Sequence, residues 1–207
     1  MYLPTAFAVN DLDRLHGLIR EFPFATLMHQ GPEGLDADHL PFVLEAGEGP
    51  LGTLHAHVAR ANPLWQALAE GAEVLVVFRG GDAYITPNSY PSKHETHRQV
   101  PTWNYRVVHA RGPLRVHDDA RYVRGLVAKL TRQHEASQPK PWKMSDAPRD
   151  YLEQMAAAIV GISIPIRDLQ GKFKLGQNKA AADIAGAAQA LLDRGEAVIG
   201  AAMLGRA

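Results

Sequence analysis

Apolar and polar positions change period several times along the chain. Leu12, Leu15, Leu18, Ile19 and Phe22 recur at helical spacing, with Asn10 placed to cap the helix and Pro23 to end it. Residues 24–30 read as a strand, 31–34 as a turn, 35–45 as a second strand and 47–50 as a further turn. In residues 52–65, Leu54, Ala56 and Val58 alternate with Thr53, His55 and His57, as in a half-buried strand. Asn62 then offers an N-cap and Pro63 a first helical residue, with Gly71 closing the helix.

Residues 72–78 are strongly β-like, and the Arg79-Gly80-Gly81-Asp82 stretch predicts a tight hairpin to a strand at 83–86. Residues 87–91 break the pattern, and 92–100 form a short helix or a loop. Strands follow at 102–111 and 114–117, around a Gly112-Pro113 break. Asp118 and Asp119 cap a helix reaching about residue 135, with Tyr122, Val123, Leu126, Val127 and Leu130 as its apolar face. A Pro- and Lys-rich loop covers 137–148 and a helix 149–157. Val160, Ile162, Ile164 and Ile166 then alternate in a strand, which Pro165 places at an edge or a bulge. Residues 172–178 lead into a C-terminal helical segment, about 178–207, with Ile184, Ala188, Leu191 and Leu192 inward and Gly195 interrupting it.

Six to eight short strands, hairpin-connected and with helices at the ends and between strand sets, predict an α+β fold: an antiparallel β-barrel decorated by peripheral helices. A parallel α/β layout needs a helix between nearly every strand pair, and the first half supplies none. With no repeat and no linker, the 207 residues read as one domain.

Composition narrows the function. Twenty-two Lys plus Arg balance twenty-two Asp plus Glu, which argues against a strongly basic nucleic-acid surface. Cysteine is absent, removing disulfides, thiolate metal sites and cysteine nucleophiles. Neither a signal peptide nor an apolar run of membrane-spanning length is present, so the expected location is the cytoplasm. Walker, dinucleotide and nucleophile-elbow motifs are likewise absent.

The candidate chemistry centres on the joint after the 53–58 strand. Arg60 stands between a strand end and a helix start, where N–H groups and a guanidinium suit a phosphate. His39, His55 and His57 are compatible with a small-molecule pocket, with a metal site or with purely structural roles; no carboxylate stands beside them as a ligand, and no metal is assigned. His94 and His97 belong to a polar, solvated segment. Trp103-Asn104-Tyr105 is either core or a lining for a planar ring. Lys172, Lys174, Gln177 and Asn178 form a second polar group at the entry to the last helix.

Four pieces coincide: His39-Leu40-Pro41-Phe42; His57-Val-Ala-Arg-Ala-Asn-Pro63 followed by Trp65; Val100-Pro-Thr-Trp-Asn-Tyr105; and Lys172-Phe-Lys-Leu-Gly-Gln-Asn178. With the opening Met-Tyr-x-Pro-x-x-Phe, the chain resembles the PaiB family, described as FMN-binding negative transcriptional regulators. The visible departure is Gly176, where the family more often carries serine.

The resemblance implies a split-barrel fold related to pyridoxamine-phosphate oxidases and flavin reductases, and a homodimer with FMN at the subunit interface. It places the phosphate near His57, Ala59, Arg60 and Asn62, and the flavin ring near Leu40 and Pro41. Trp103, Asn104, Lys174 and Gln177 are implied as contacts reaching across from the partner subunit. It implies a regulatory role, with a flavin-dependent oxidoreductase, flavin reductase-like or haem-degrading, as the alternative. Direct DNA binding draws no support from the charge pattern.

Overall fold

The computed structural model describes residues 1–68 and 71–205. In chain order they form β1 (Ala8–Val9), α1 (Leu12–Glu21), β2 (Phe24–Gly31), β3 (Gly34–Pro41), β4 (Val43–Glu45), β5 (Thr53–Ala59), α2 (Leu64–Ala67) and β6 (Glu73–Ile85). There follow α3 (Pro91–Thr96), β7 (Thr102–Pro113), β8 (Arg115–His117), α4 (Ala120–Glu135), α5 (Arg149–Ala157), β9 (Ile159–Pro165), β10 (Asp168–Lys174), α6 (Ala181–Asp193) and α7 (Ala197–Met203). The β1–β10, β2–β3, β2–β6, β4–β5, β5–β9 and β8–β9 pairings are antiparallel, and the class is α+β.

The chain divides into two compact units. One comprises residues 1–22, 78–109 and 170 onward; the other comprises 23–77 and 110–169. In the first unit β1, β10, β7 and β6 lie side by side in that order. Helix α1 buries Leu15, Leu18 and Ile19, and its cap is Asp11, whose carboxylate accepts from Arg14 N at 3.2 Å, rather than Asn10. Helices α6 and α7 bury Ala187, Ala188, Leu191, Ile199 and Met203, with the break at Gly195 as expected. Residues 206–207 of the expected C-terminal segment lie outside the described residues.

In the second unit, β2 pairs with β3 through a hairpin at Gly31–Gly34 and with the start of β6. A four-stranded sheet runs β4-β5-β9-β8. Helix α4 begins where Asp119 accepts from Tyr122 N at 2.7 Å, and it buries Val123, Leu126 and Leu130. Leu126 and Leu130 pack with Val43 and Tyr122.

Several elements differ from the sequence expectation. The Gly80-Gly81 stretch makes no hairpin, and β6 runs through it as one strand of 13 residues. Its buried positions are even-numbered up to Gly80 and odd-numbered from Ala83, and Gly81 between them has φ +86°. An inserted residue in left-handed backbone shifts the register and keeps the strand going. The strand expected at 35–45 is two, because Phe42 turns inward between them and its N–H donates to Pro23 O at 2.9 Å. Strand β9 is central, not an edge. Pro165 is tolerated as its last residue because β8 pairs only with residues 161–163. Helix α2 is a single turn, and residues 69–70 of the helix expected to reach Gly71 lie outside the described residues. Strands β1 and β10 carry no clear apolar alternation and escaped the pattern.

Candidate functional site

Strand β5 sets the site's geometry. Leu54, Ala56 and Val58 are buried, while His55 and His57 lie half-buried on the opposite face. Pairing of β5 with β9 in full register, from Thr53↔Pro165 to Ala59↔Ile159, fixes where those histidines stand. Burial lowers the His57 pKa, so its imidazole is neutral at pH 7. Its Nδ1 is buried without a hydrogen-bond partner.

Past the strand end, Arg60 is held on all sides. Its two terminal nitrogens donate to Asp118 Oδ2 at 2.9 Å and Oδ1 at 2.6 Å, and Nε donates to Ala157 O at 2.7 Å. The guanidinium lies 5.8 Å from the Trp65 ring, and Trp65 Nε1 donates to Arg60 O at 3.0 Å. Hydrogen bonding between the partners raises the Arg60 pKa and holds Asp118 below the usual carboxylate range. The pair is solvent-exposed, so its net strength is modest.

Asn62 does act at the helix start, since its Oδ1 accepts from Leu64 N at 2.8 Å. Its Nδ2 donates to Asp38 Oδ1 at 2.6 Å, and Asp38 lies 3.4 Å from His29 Nε2. A single helical turn makes no appreciable dipole site, so the anion chemistry here rests on the guanidinium. Ala59 is exposed at the end of β5, and Leu40 and Pro41 are half-buried at the end of β3, paired with Ala25 and Phe24.

Two cavities adjoin this joint. One, of about 610 Å³, is lined by His57, Arg124 and Arg149 together with Val127, Met144, Leu152, Ala156 and Ile159. The other, of about 400 Å³, is lined by Arg60, Asp118 and Asp119, and shares Arg124, Glu153, Ala156 and Ile159 with the first. His57 and Arg60 are thus brought to neighbouring cavities; Asn62 lines a third, with His29, Asp36 and Asp38.

A polar chain that the sequence did not reveal crosses the same sheet. Glu48 Oε2 lies 2.9 Å from His55 Nε2, and His55 Nδ1 lies 2.7 Å from the Tyr122 hydroxyl. Tyr122 stacks on His117 with centroids 4.0 Å apart, and His117 Nε2 meets Ser163 Oγ at 2.7 Å. Gly161 permits this packing, since a Cβ there would stand 2.5 Å from Tyr122 Cε1. Burial first, then the Glu48 charge, pushes the Tyr122 phenol up to about 12, against a lowering hydrogen bond with Ser163. His55 therefore has structural partners. Among the described residues, no three His, Asp or Glu side chains gather as a metal site.

In the other unit, Trp103 is 55% exposed and meets Tyr84 edge-on at 5.9 Å. Lys174 Nζ donates to Thr102 Oγ1 and Trp103 O, and its pKa is lowered by burial and by the Lys172 and Lys179 charges. Lys172 stands over the Tyr2 and Tyr105 rings at 5.4 and 5.5 Å. Asn104 is buried and points its amide at Met203 Sδ at 3.3 Å. Gln177 closes its own turn, accepting from Leu175 N at 2.8 Å and donating to Phe173 O. Trp103 and Lys174 thus share a surface, while Asn104 and Gln177 brace the backbone beside them. His94 and His97 are exposed, with His97 at φ 55° closing α3.

Residues 1–168 match the family described as "Putative FMN-binding domain". An uncharacterised protein of Emericella nidulans is 35% identical, over 88% of this chain and 87% of its own length. The "Protease synthase and sporulation protein PAI 2" of Bacillus subtilis is 28% identical, over 86% and 83%. Among solved structures, the "FAD and Heme binding protein" of Mycobacterium smegmatis superposes with a TM-score of 0.62 at 21% identity, covering 86% of this chain and 78% of that one. The chain belongs to this FMN-binding domain family and, with the Bacillus relative, to the PaiB family.

Proposed function

We propose that this PaiB-family protein is an FMN-binding split-barrel flavoprotein that works as a cytoplasmic homodimer and a negative transcriptional regulator. The observation that carries the flavin is the match of residues 1–168 to the FMN-binding family. The whole chain acts as one FMN-binding domain. Bound FMN would supply reversible electron transfer or a redox-sensitive shape.

The residues present suit the phosphate first. Arg60 already grips a two-oxygen anion, the exposed Asp118 carboxylate, and a phosphate presents the same bidentate acceptor pair with more charge. Asp118 yields its place, Trp65 keeps the Arg60 backbone fixed, and Asn62 holds the turn that follows. His57 and Ala59 lie on the strand leading to Arg60, and Leu40 and Pro41 offer apolar surface to the ring. Trp103 and Lys174 of the partner subunit complete the enclosure, their positions braced by Asn104 and Gln177.

A second reading, a flavin-dependent oxidoreductase that is flavin reductase-like or haem-degrading, draws on the neutral His57 beside a large cavity and on the fold shared with a "FAD and Heme binding protein". Aerobic NAD(P)H oxidation by the FMN-loaded protein separates the two. Steady turnover supports the enzyme; flavin that stays oxidised supports the regulator. The flavin itself is tested by titrating FMN into the protein and following its melting temperature.

A further inference from the structure

The cavity of about 610 Å³ between α4 and α5, open over the ends of β5 and β9, has a lining that FMN would not satisfy. FMN carries a dianion, several hydroxyls and a hydrogen-bonding ring edge, and each of those groups buried without a partner is costly. The walls offer mostly aliphatic surface, from Val127, Met144, Leu152, Met155, Ala156 and Ile159. Its volume lies within the range of small-molecule sites, about 300–1,000 Å³.

The charges at its rim are uneven. Arg149 donates from Nε to Glu153 Oε1 at 2.9 Å, an exposed i,i+4 pair whose charges balance but which holds only weakly. His57 is uncharged at pH 7. Arg124 also lines the cavity, and among the described residues it has no hydrogen-bond or ion-pair partner. Arg124 therefore presents a guanidinium without a hydrogen-bonded acceptor to the apolar cavity, and it also borders the neighbouring cavity that Asp118 and Asp119 line.

We infer that this cavity binds an apolar molecule carrying a single carboxylate, with its hydrocarbon body against α4, α5 and β9 and its carboxylate on Arg124. The complement is direct: aliphatic lining removes hydrocarbon from water, and the lone guanidinium orients and anchors the acid. This cavity adjoins the one lined by Arg60 and Asp118 and shares Arg124 and Ala156 with it, but its aliphatic lining makes it a second ligand position rather than the cofactor's own.

The probe is decanoate, with decanol and decylammonium as neutral and cationic controls, titrated calorimetrically below their aggregation thresholds. Decanoate binds the wild-type chain more tightly than decanol, and decylammonium binds weakest. Arg124→Gln, a change at an exposed helix position, lowers decanoate affinity about fivefold or more and leaves decanol unchanged. Ala156→Phe, which fills the cavity, removes both, with circular dichroism confirming the fold. Saturating FMN does not displace decanoate, and the two ligands bind together. Equal affinity for decanoate and decanol, or insensitivity to Arg124→Gln, would overturn the inference. So would competition with FMN, which would return the cavity to the flavin. Failure of FMN to bind at all would overturn the flavin reading and leave this result standing.

Discussion

Arg60 grips both carboxylate oxygens of Asp118, at 2.6 and 2.9 Å, across 58 residues of sequence. The pair joins the end of β5 to the residue before the cap of α4, and both partners face solvent. An internal anion thus stands on the guanidinium proposed to hold the FMN phosphate.

Replacing that guanidinium separates its roles. Arg60→Ala weakens FMN binding about tenfold or more, as loss of a charge-assisted bidentate contact should, and leaves the circular dichroism spectrum native. Asp118→Asn removes the competing charge and tightens FMN binding. Fluorescence quenching titrations of both variants check the pair of opposite signs.

His57 ties stability to mild acid. Its folded pKa lies below the unfolded value of about 6.5, so the unfolded chain takes up the proton first. The His57 contribution is complete above that value and is lost as pH falls through the folded pKa. Melting temperature should therefore drop from about pH 6.5 downward, and His57→Gln should flatten that limb.

Tyr122 ties stability to alkali. Its pKa of about 12 exceeds the unfolded value near 10, so its contribution is complete below about pH 10 and lost as pH rises toward 12. Absorbance at alkaline pH should show one tyrosine titrating last, near 12, and missing in Tyr122→Phe. That variant leaves His55 Nδ1 without its partner at 2.7 Å and costs about 1–3 kcal/mol in urea unfolding.

Gly161 is fixed by close approach. A methyl group there would meet the Tyr122 ring at 2.5 Å, so Gly161→Ala must tilt α4 or displace the ring from His117. A cost of about 1–3 kcal/mol is expected from such overpacking, read from the same urea transitions.

Local rules made much of the fold legible. Asp119 caps α4, α5 spans 149–157 as patterned, and β5 alternates as read, because capping and burial parity act within a few residues. Gly80-Gly81 misled because the same dipeptide serves a hairpin or a bulge, and burial beyond it decides which. Strand β10 hid behind Gln170, Lys172 and Lys174, whose stems pack while their heads find partners. At the site, Arg60 stood out through its position at a strand end. Its partner Asp118, and the Glu48–His55–Tyr122 chain, join residues 58 and 67 apart, and no spacing rule links them.

The most direct test is FMN titrated into the purified protein, with the melting temperature and the flavin spectrum followed together. Saturable binding, a perturbed flavin absorption band and about 2.7 kcal/mol of added stability at a hundred times the dissociation constant are expected, all diminished in Arg60→Ala. A spectrum identical to free FMN with an unmoved melting temperature would contradict the flavin reading.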